Sequence, residues 1–509
     1  MAGPGGRPLF LQAGTRDDLN FLLAFRPEMA PYWVLMKKSS FSSDMNRRQF
    51  LATTGLALAA PTFIPASALG LEDKPAPSER VTMGVVGWGM QGPGNTDAFL
   101  ALKDCHVVAA CDLDKNHLQS AVNTINDKYG NKDCKAYHDY RELMARQDID
   151  AVMLAVPDTW HALVATEAAR NKKDIYGEKP LARTIAEQQA LVRAVRENQR
   201  IWQTGSWQRS VLNFRKAAEI VRNGLIGKIT RVEVGLPAGH TDFAGTGRPL
   251  AAKLKKGAGT GFLAKVVPGM PEWDAAVTPP PADLDYEMWV GPSKMEPYIG
   301  ARVHMNWRWN YNVGGGQLLD WIGHHCDIAH WGLDMDDKGG PSEIEAEGQF
   351  PPPNAIWNTC TRYRITLKYP QDITMTIAGG YGNIRSGAKW IGTDGWVWVD
   401  RSGYDASNTD WFQKLPENAT VKLYRSDNHQ ANFISCVKSR KPTIAPAETA
   451  HHSAIPGHLG LISLLAGEDQ DGKRIGRKLR WDPEKEVIID DPKASQFLSR
   501  PYRAPWALA

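Results

Sequence analysis

The chain lacks the marks of a nucleic-acid binder, a disulfide scaffold and a membrane protein. Basic and acidic residues nearly balance, leaving a formal charge of +4 with no long basic run. The electrostatic footprint of a nucleic-acid surface is therefore missing. The six cysteines are scattered (105, 111, 134, 326, 360, 436) and none forms a CxxC pair. Neither a disulfide framework nor a thiolate zinc site is legible, and the thiols read as reduced and buried. There is no internal repeat and no low-complexity tract. The apolar stretch from Leu51 to Ile64 is too short and too interrupted to span a membrane. Tryptophan, by contrast, is plentiful at 18 residues. Most must be core, but flat aromatic faces are also what sugar rings stack on.

Asn46-Arg47-Arg48-Gln49-Phe50-Leu51 reads as a twin-arginine n-region, and the apolar stretch follows it. Ala66-Ser67-Ala68 then offers a small-x-small cleavage site. Residues 45–68 are expected to be a Tat signal peptide and the protein periplasmic, with a cytoplasmic protein as the alternative. An amphipathic first helix is the other reading of this segment, and its glycine, threonine and proline argue against it. Residues 1–44 do not suit the start of a signal, so Met45 is the expected first residue and 1–44 a mis-assigned, disordered start. Residues 69–79, rich in proline and charge, read as a linker. Roughly 440 residues follow Ala68, enough for two domains with real cores.

Val81-Thr-Met-Gly-Val-Val-Gly87-Trp-Gly89-Met-Gln-Gly92 carries an apolar β-branched run straight into Gly-x-Gly-x-x-Gly. A second apolar run, Val107 to Cys111, ends on Asp112. Strand, glycine turn, helix, strand and acid in this order form the dinucleotide fingerprint. Gly87 allows the turn, Gly89 lets backbone approach a pyrophosphate, and Gly92 lets the helix pack on the strand. Trp88, Met90 and Gln91, between the glycines, are expected at the cofactor. Asp112 would accept from the ribose hydroxyls and repel a 2′-phosphate, favouring NAD over NADP. A structural glycine turn is the alternative.

Strand and helix then alternate through residue 205, which predicts a Rossmann doubly wound parallel sheet over 80–205. Asp150 to Val156 is an uninterrupted apolar run of the kind buried on both faces. Residues 206–476 change texture. Period-2 runs at 342–350, 361–368, 373–379, 389–391 and 396–400 predict a second, α+β domain with a mostly antiparallel sheet. Leu236 to Tyr286, rich in glycine and proline with Lys253, Lys255 and Lys256, reads as a long irregular segment. Residues 477–509 read as an extended tail.

Two constellations carry chemistry. Glu178-Lys179-Pro180 ends a parallel strand, where such sheets bind ligands, though a charged surface loop has the same pattern. Gly314-Gly-Gly-Gln-Leu-Leu-Asp320-Trp-Ile-Gly-His324-His325-Cys-Asp327 opens a helix on glycine and puts Asp320, His324 and Asp327 on one face. A carboxylate behind a histidine fixes its tautomer and raises its basicity. A packed core histidine is the alternative. A two-histidine metal site lacks an obvious third ligand, so no metal is expected.

Together, these motifs resemble the Gfo/Idh/MocA oxidoreductase family from roughly Arg80 to the C-terminus. The resemblance implies that Lys179 orients a substrate hydroxyl near the nicotinamide, that Asp320 supports it, and that His324 is catalytic. It implies that Pro157 and His161, in Val156-Pro-Asp-Thr-Trp-His161, flank the cofactor together with Glu178. It also implies an open C-terminal sheet of the kind used to form a homo-oligomer. One departure stands out. The family helix usually reads Asp-x-Gly-x-His, and here Ile322 takes the glycine slot while Gly323 is displaced by one.

His304, Trp307, Arg308 and Tyr311, just before that helix, suit a polyol: donors for hydroxyls and flat faces for C–H groups. Arg209 and His325 are further substrate candidates, with ordinary packing as the alternative for any of them. The reading is an exported NAD-dependent oxidoreductase acting on a secondary alcohol of a sugar or cyclitol. His324 takes the proton, Lys179 stabilises the alkoxide and Asp320 holds the imidazole. Two alternatives stand beside it: an NAD-dependent glycoside hydrolase or lyase working through a 3-keto intermediate, which uses the same residues, and a non-catalytic NAD-binding scaffold or sensor, against which the presence of Lys179, Asp320 and His324 argues.

Overall fold

The computed structural model describes residues 75–240, 277–337, 339–352 and 355–508. The expectations for the signal, for the residues before it, for most of the linker and for the lysine cluster lie outside the described residues.

Six parallel strands form the first sheet: β1 (Val81–Val86), β2 (Cys105–Cys111), β3 (Lys135–Tyr137), β4 (Ala151–Leu154), β5 (Asp174–Gly177) and β6 (Trp202–Thr204). Their order is β3-β2-β1-β4-β5-β6, so the direction of winding reverses between β1 and β4. Ligands of doubly wound sheets bind at the strand ends beside that reversal. β4 is buried at every residue, as its unbroken apolar run requires, and so is β5, whose Asp174 is paired with Arg440. The crossover helices are α1 (Gly92–Leu100), α2 (Lys115–Tyr129), α3 (Tyr140–Met144), α4 (Asp158–Arg170) and α5 (Ile185–Glu197). Side-chain oxygens start three of them. Asp114 accepts from the backbone N–H of Asn116 and His117, Asp139 from Arg141, and Thr184 from Glu187.

After α6 (Leu212–Arg222), β7 (Ile229–Leu236) enters the second sheet, and α7 (Tyr286–Val290) and α8 (Gly316–Leu333) follow. Then come β8 (Glu343–Gln349), β9 (Arg362–Lys368), β10 (Thr374–Gly379), β11 (Gly387–Gly392), β12 (Trp396–Val399) and β13 (Tyr404–Ala406). The helices α9 (His429–Ser439) and α10 (Ala447–Ala466) precede β14 (Glu468–Gln470), β15 (Lys473–Ile475), β16 (Leu479–Asp482) and β17 (Val487–Ile488). The order is β13-β12-β11-β7-β10-β9-β8-β15-β14, with β16 paired to β8 and β17. All pairs are antiparallel except β7 with β10. The fold is the expected one: a Rossmann sheet followed by a large, mostly antiparallel sheet.

The second core seats α8. Its Leu318, Leu319, Ile322 and Cys326 pack with Val232, Val234, Ile365 and Trp390 of the sheet. Gly332 allows close contact, since a Cβ there would fall 2.6 Å from Trp390 Cε2. Trp390 Nε1 donates to the Ala329 carbonyl at 3.1 Å. All six cysteines are buried and free.

Residues 477–509 depart from the extended tail expected of them. β16 joins the sheet beside β8, and Pro492–Ser495 forms a short helix. The chain then returns to the first domain. Arg500 Nε and Tyr502 Oη both donate to Glu187 Oε1, at 2.7 and 2.6 Å, and Trp506 meets Trp160 edge-on. The partners of this segment are side chains of α4 and α5, far away along the chain.

Candidate active site

A cleft of about 1090 Å³, counting its open mouth, runs along the strand ends at the β1/β4 reversal. Gly87, Gly89, Met90 and Gln91 form one wall. Gly87 has φ +93°, and a Cβ on it would fall 2.3 Å from the Ala155 carbonyl oxygen, so only glycine fits. Gly92 holds α1 against the turn, because its Cβ would meet Gly87 O at 2.1 Å. Gly89 differs: nothing lies within 4 Å of the place a Cβ would occupy. The space it leaves open is where a pyrophosphate would approach the turn and the start of α1.

Asp112 lies in the same cleft at the end of β2. Its Oδ2 accepts from the Trp88 N–H (2.6 Å) and its Oδ1 from the Asp114 N–H (2.9 Å), so it also closes the glycine turn. Burial raises its pKa. Each oxygen keeps a lone pair for a ribose hydroxyl. The open turn, the acid and the cleft fit a dinucleotide.

Pro157, Glu178 and Lys179 complete the wall. Glu178 is buried, accepts from Asn95 Nδ2 at 2.8 Å and is raised by that burial. Three expected cofactor residues act from behind. Trp88 turns its indole into the core, with Nε1 donating to Ser120 Oγ, and offers the turn only its backbone. Gly92 contributes close packing. His161 is buried, with Nδ1 2.7 Å from the Pro180 carbonyl and Nε2 2.9 Å from the Val156 carbonyl. It ties the two loops that bear Pro157 and Lys179 and does not line the cleft. The fingerprint already gave Gly92 its packing role, but no sequence pattern could separate Trp88 and His161 from their neighbours, because there the distinction is one of side-chain direction.

Lys179 meets the second domain at Asp320. Its Nζ donates to Asp320 Oδ1 at 3.0 Å and to the Asp320 carbonyl at 3.1 Å. Arg308 Nε donates to the same Oδ1 at 3.0 Å. Burial alone would raise the Asp320 carboxyl, but the Lys179 and Arg308 cations outweigh it and hold the group well below the usual carboxylate range. This corrects the expected role: Asp320 anchors Lys179 and Arg308 and makes no hydrogen bond to the His324 ring. His324 is buried one turn along α8, and its Nδ1 has no partner among the described residues. Burial, then the Lys179 and Arg401 cations, push its pKa well below the ordinary histidine value, so the ring is neutral.

Ile322, in the family's glycine slot, faces away from Lys179. It packs where Gly457 of α10 leaves room, since a Cβ on Gly457 would meet Ile322 Cγ1 at 2.7 Å. Gly323 is the residue opposite Lys179, and a Cβ there would come within 3.1 Å of Lys179 Cβ. The displaced glycine therefore serves the lysine.

The substrate candidates separate. Trp307 and Arg308 line the cleft, with the guanidinium 4.4 Å from the Trp307 ring. His304 lines it at the Asp112 end instead, beside Asp114 and His117. These three offer donor atoms within 4.8 Å of one another, a metal-like spacing that the sequence hid because 304 meets 114 and 117 only in the fold. Burial and then His117 lower the His304 pKa to about 4. Arg209 is not free for substrate: it is buried between Asp327 and Asp336. His325 is tied through Nδ1, which lies 2.7 Å from the Gly235 carbonyl of β7, while its buried Nε2 has no partner among the described residues. Tyr311 sits in a different cavity, under the Arg183 guanidinium. Residues 304–309 form 3-10 turns.

Sequence reasoning missed Asp158 and Arg401. Asp158 Oδ2 accepts from the Gly315 N–H at 3.2 Å, linking α4 to the start of α8. Arg401 stands between the rings of Trp207 and Trp321. Arg401 belongs to no motif, and Asp158, although it lies within Val156-Pro-Asp-Thr-Trp-His161, meets its partner Gly315 only in the fold.

The sheet and its cleft define a two-domain dinucleotide-binding α/β protein. The chain belongs to the Gfo/Idh/MocA oxidoreductase family: residues 81–206 match its NAD-binding Rossmann fold and residues 244–508 its C-terminal alpha/beta domain. It is 33% identical over 163 residues to glycosyl hydrolase family 109 protein 2 of Shewanella sp. (strain ANA-3), which is 30% of this chain and 35% of that protein. It is 32% identical over 147 residues to inositol 2-dehydrogenase of Salmonella typhimurium, 28% of this chain and 42% of that one. The chain thus spans under half the length of these curated relatives. The WlbA dehydrogenase of Bordetella pertussis, solved with NADH and UDP-GlcNAcA, superposes with a TM-score of 0.51 at 16% identity, over 74% of this chain and 92% of that one. The aldose-aldose oxidoreductase of Caulobacter crescentus gives 0.50 at 15% identity, over 74% and 95%. At these identities the likeness is one of fold.

Proposed function

We propose that the protein oxidises a secondary alcohol of a sugar, sugar derivative or cyclitol, with NAD as its cofactor. The observation that carries this reading is Lys179. It lies in the dinucleotide cleft and is pinned by Asp320 of the other domain, so cofactor and substrate machinery meet at one amine. Bound NAD supplies the hydride acceptor. Gly87, Gly89 and Asp112 hold the dinucleotide, and Pro157 and Glu178 flank it. Lys179 donates to the substrate oxygen and stabilises the charge that develops there. Fixed by Asp320, it needs little reorganisation to do so. His324, neutral and with Nδ1 unpartnered, accepts the hydroxyl proton.

A second reading is supported by the family 109 relatives: a glycoside hydrolase or lyase in which the same oxidation is later reversed. The Arg47-Arg48 pair and the Ala66-Ser67-Ala68 site support export by the Tat route to the periplasm. An enzyme exported folded would keep its cofactor, and a retained cofactor must be reset on the protein. That favours either the hydrolase cycle or a second substrate that takes the hydride back.

A panel of nitrophenyl glycosides and free sugars separates the readings, with nitrophenol release and reduced-nicotinamide absorbance followed together. Reduction without release is the outcome expected of a dehydrogenase. Release with no net reduction identifies the hydrolase. NAD-loaded protein silent in both channels across the panel contradicts catalysis and leaves the scaffold.

A further inference from the structure

Among the described residues, several cations around this site are paired with carboxylates. Lys179 and Arg308 share Asp320, and Arg209 has Asp327 and Asp336. Arg401, in the turn between β12 and β13, has no carboxylate partner among the described residues. It is nevertheless held in place. Asp400 Oδ1 accepts from the Ser402 N–H (2.6 Å), the Ser402 hydroxyl (2.5 Å) and the Gly403 N–H (3.2 Å), which fixes the turn. The guanidinium lies 4.7 Å from the ring centres of both Trp207 and Trp321. With the Gln208 amide oriented to satisfy both its ends, its nitrogen donates to the His324 carbonyl and its oxygen accepts from Arg401 Nε, each at 3.0 Å.

Two indole faces and an amide therefore position a cation without neutralising it, one residue removed from His324. Arg401 remains exposed, so it is open to a ligand. Its charge acts on the site, because it depresses both His324 and His325. It does not line the dinucleotide cleft, so the pyrophosphate is not its partner. With Nε committed to Gln208, the edge left over is the Nη1/Nη2 fork. That planar pair of donors matches a carboxylate end-on.

We propose that the substrate carries a carboxylate, as a sugar acid of the hexuronate kind does, and that Arg401 selects it by a bidentate contact. This inference rests on the oxidoreductase reading for the reaction and extends it to the class of sugar. Asp320 and Asp400 act on Arg401 only through space, and neither takes a hydrogen bond from it among the described residues, so its Nη1/Nη2 fork stays open to a substrate carboxylate. Stacking between Trp207 and Trp321 keeps the fork ordered before the ligand arrives, which lowers the cost of binding.

Calorimetric titration of the NAD-loaded protein tests the proposal without relying on turnover. The ligands are hexuronates, their neutral parent hexoses and the hexose 6-phosphates. Uronates are expected to bind at least about tenfold tighter than the neutral sugars. Arg401→Gln should weaken uronate binding by about 10–100-fold, the loss expected for charge-assisted hydrogen bonds, and leave neutral sugars unchanged. Arg401→Lys keeps the charge without the fork and should fall between the two. Equal affinity for acid and neutral sugars, or equal weakening of both in Arg401→Gln, overturns the inference. Tighter binding of the phosphates than of the uronates overturns the choice of carboxylate. Uronate binding that depends on Arg401 supports it even if nothing is oxidised. Oxidation of neutral sugars with no preference for acids leaves the reaction standing and removes this substrate class.

Discussion

His324→Ala should lower turnover by about 10²–10⁴-fold, the usual worth of a general base, while NAD still binds. The two effects separate because His324 lies outside the dinucleotide cleft, on α8 beyond Asp320. The pH profile carries the same information. Burial and the Lys179 and Arg401 cations depress the imidazole, so its neutral, proton-accepting form persists well below the ordinary histidine pKa of about 6.5. The acid limb of kcat/KM should therefore lie below that value. As pH falls through the depressed pKa the base is protonated and activity is lost, and in His324→Ala the limb disappears. Steady-state kinetics and a cofactor titration check both points. Full activity in the variant would move the role of base to another group.

Arg209→Ala should destabilise the protein by about 3–5 kcal/mol, because it strands a buried carboxylate without its partner. Arg209 Nε and Nη2 reach the two oxygens of Asp327 at 2.7 and 2.9 Å, and Nη1 and Nη2 reach those of Asp336 at 2.9 and 2.7 Å. Burial opposes the arginine's charge, but the two aspartates more than restore it. Losing the arginine leaves Asp327, which is 1% exposed, uncompensated. Thermal melting measures the loss, and Arg209→Met with Asp327→Leu should recover part of it, since an apolar pair removes the stranded charge. A melting temperature unchanged in Arg209→Ala would mean that solvent reaches the clamp.

The parts of the site that lie close together in sequence were legible from the sequence. Gly87, Gly89, Gly92 and Asp112 are set by backbone geometry over a single βαβ unit, so their spacing alone places them. Lys179 was legible only in part: the end of a buried strand put it at the sheet's ligand-binding edge, a charged surface loop had the same pattern, and the family resemblance gave its role. The α8 face was legible too, but its partners were not. Asp320 and Asp327 share a helix face with His324, yet one turns to Lys179 and Arg308 and the other to Arg209. Periodicity reports which side of a helix a residue occupies and not which distant chain covers that side. The same limit made Arg209 look like a substrate residue and hid Arg401, whose ring partners come from two other segments. Residues 477–509 misled for a related reason: their polar side chains satisfy buried groups of α4 and α5 instead of water.

The central claim is that hydride passes between a secondary alcohol and NAD in the cleft that Lys179 and Asp320 close. The direct test is a single turnover of NAD-loaded protein with the tightest-binding sugar, deuterated at the carbon to be oxidised. The account predicts slower turnover with the labelled sugar and deuterium on the nicotinamide, at about one equivalent per chain, as one dinucleotide fold allows. In the hydrolase reading the label reaches the nicotinamide transiently and returns to product. Turnover at an undiminished rate, with no deuterium reaching the nicotinamide at any time, would contradict the account.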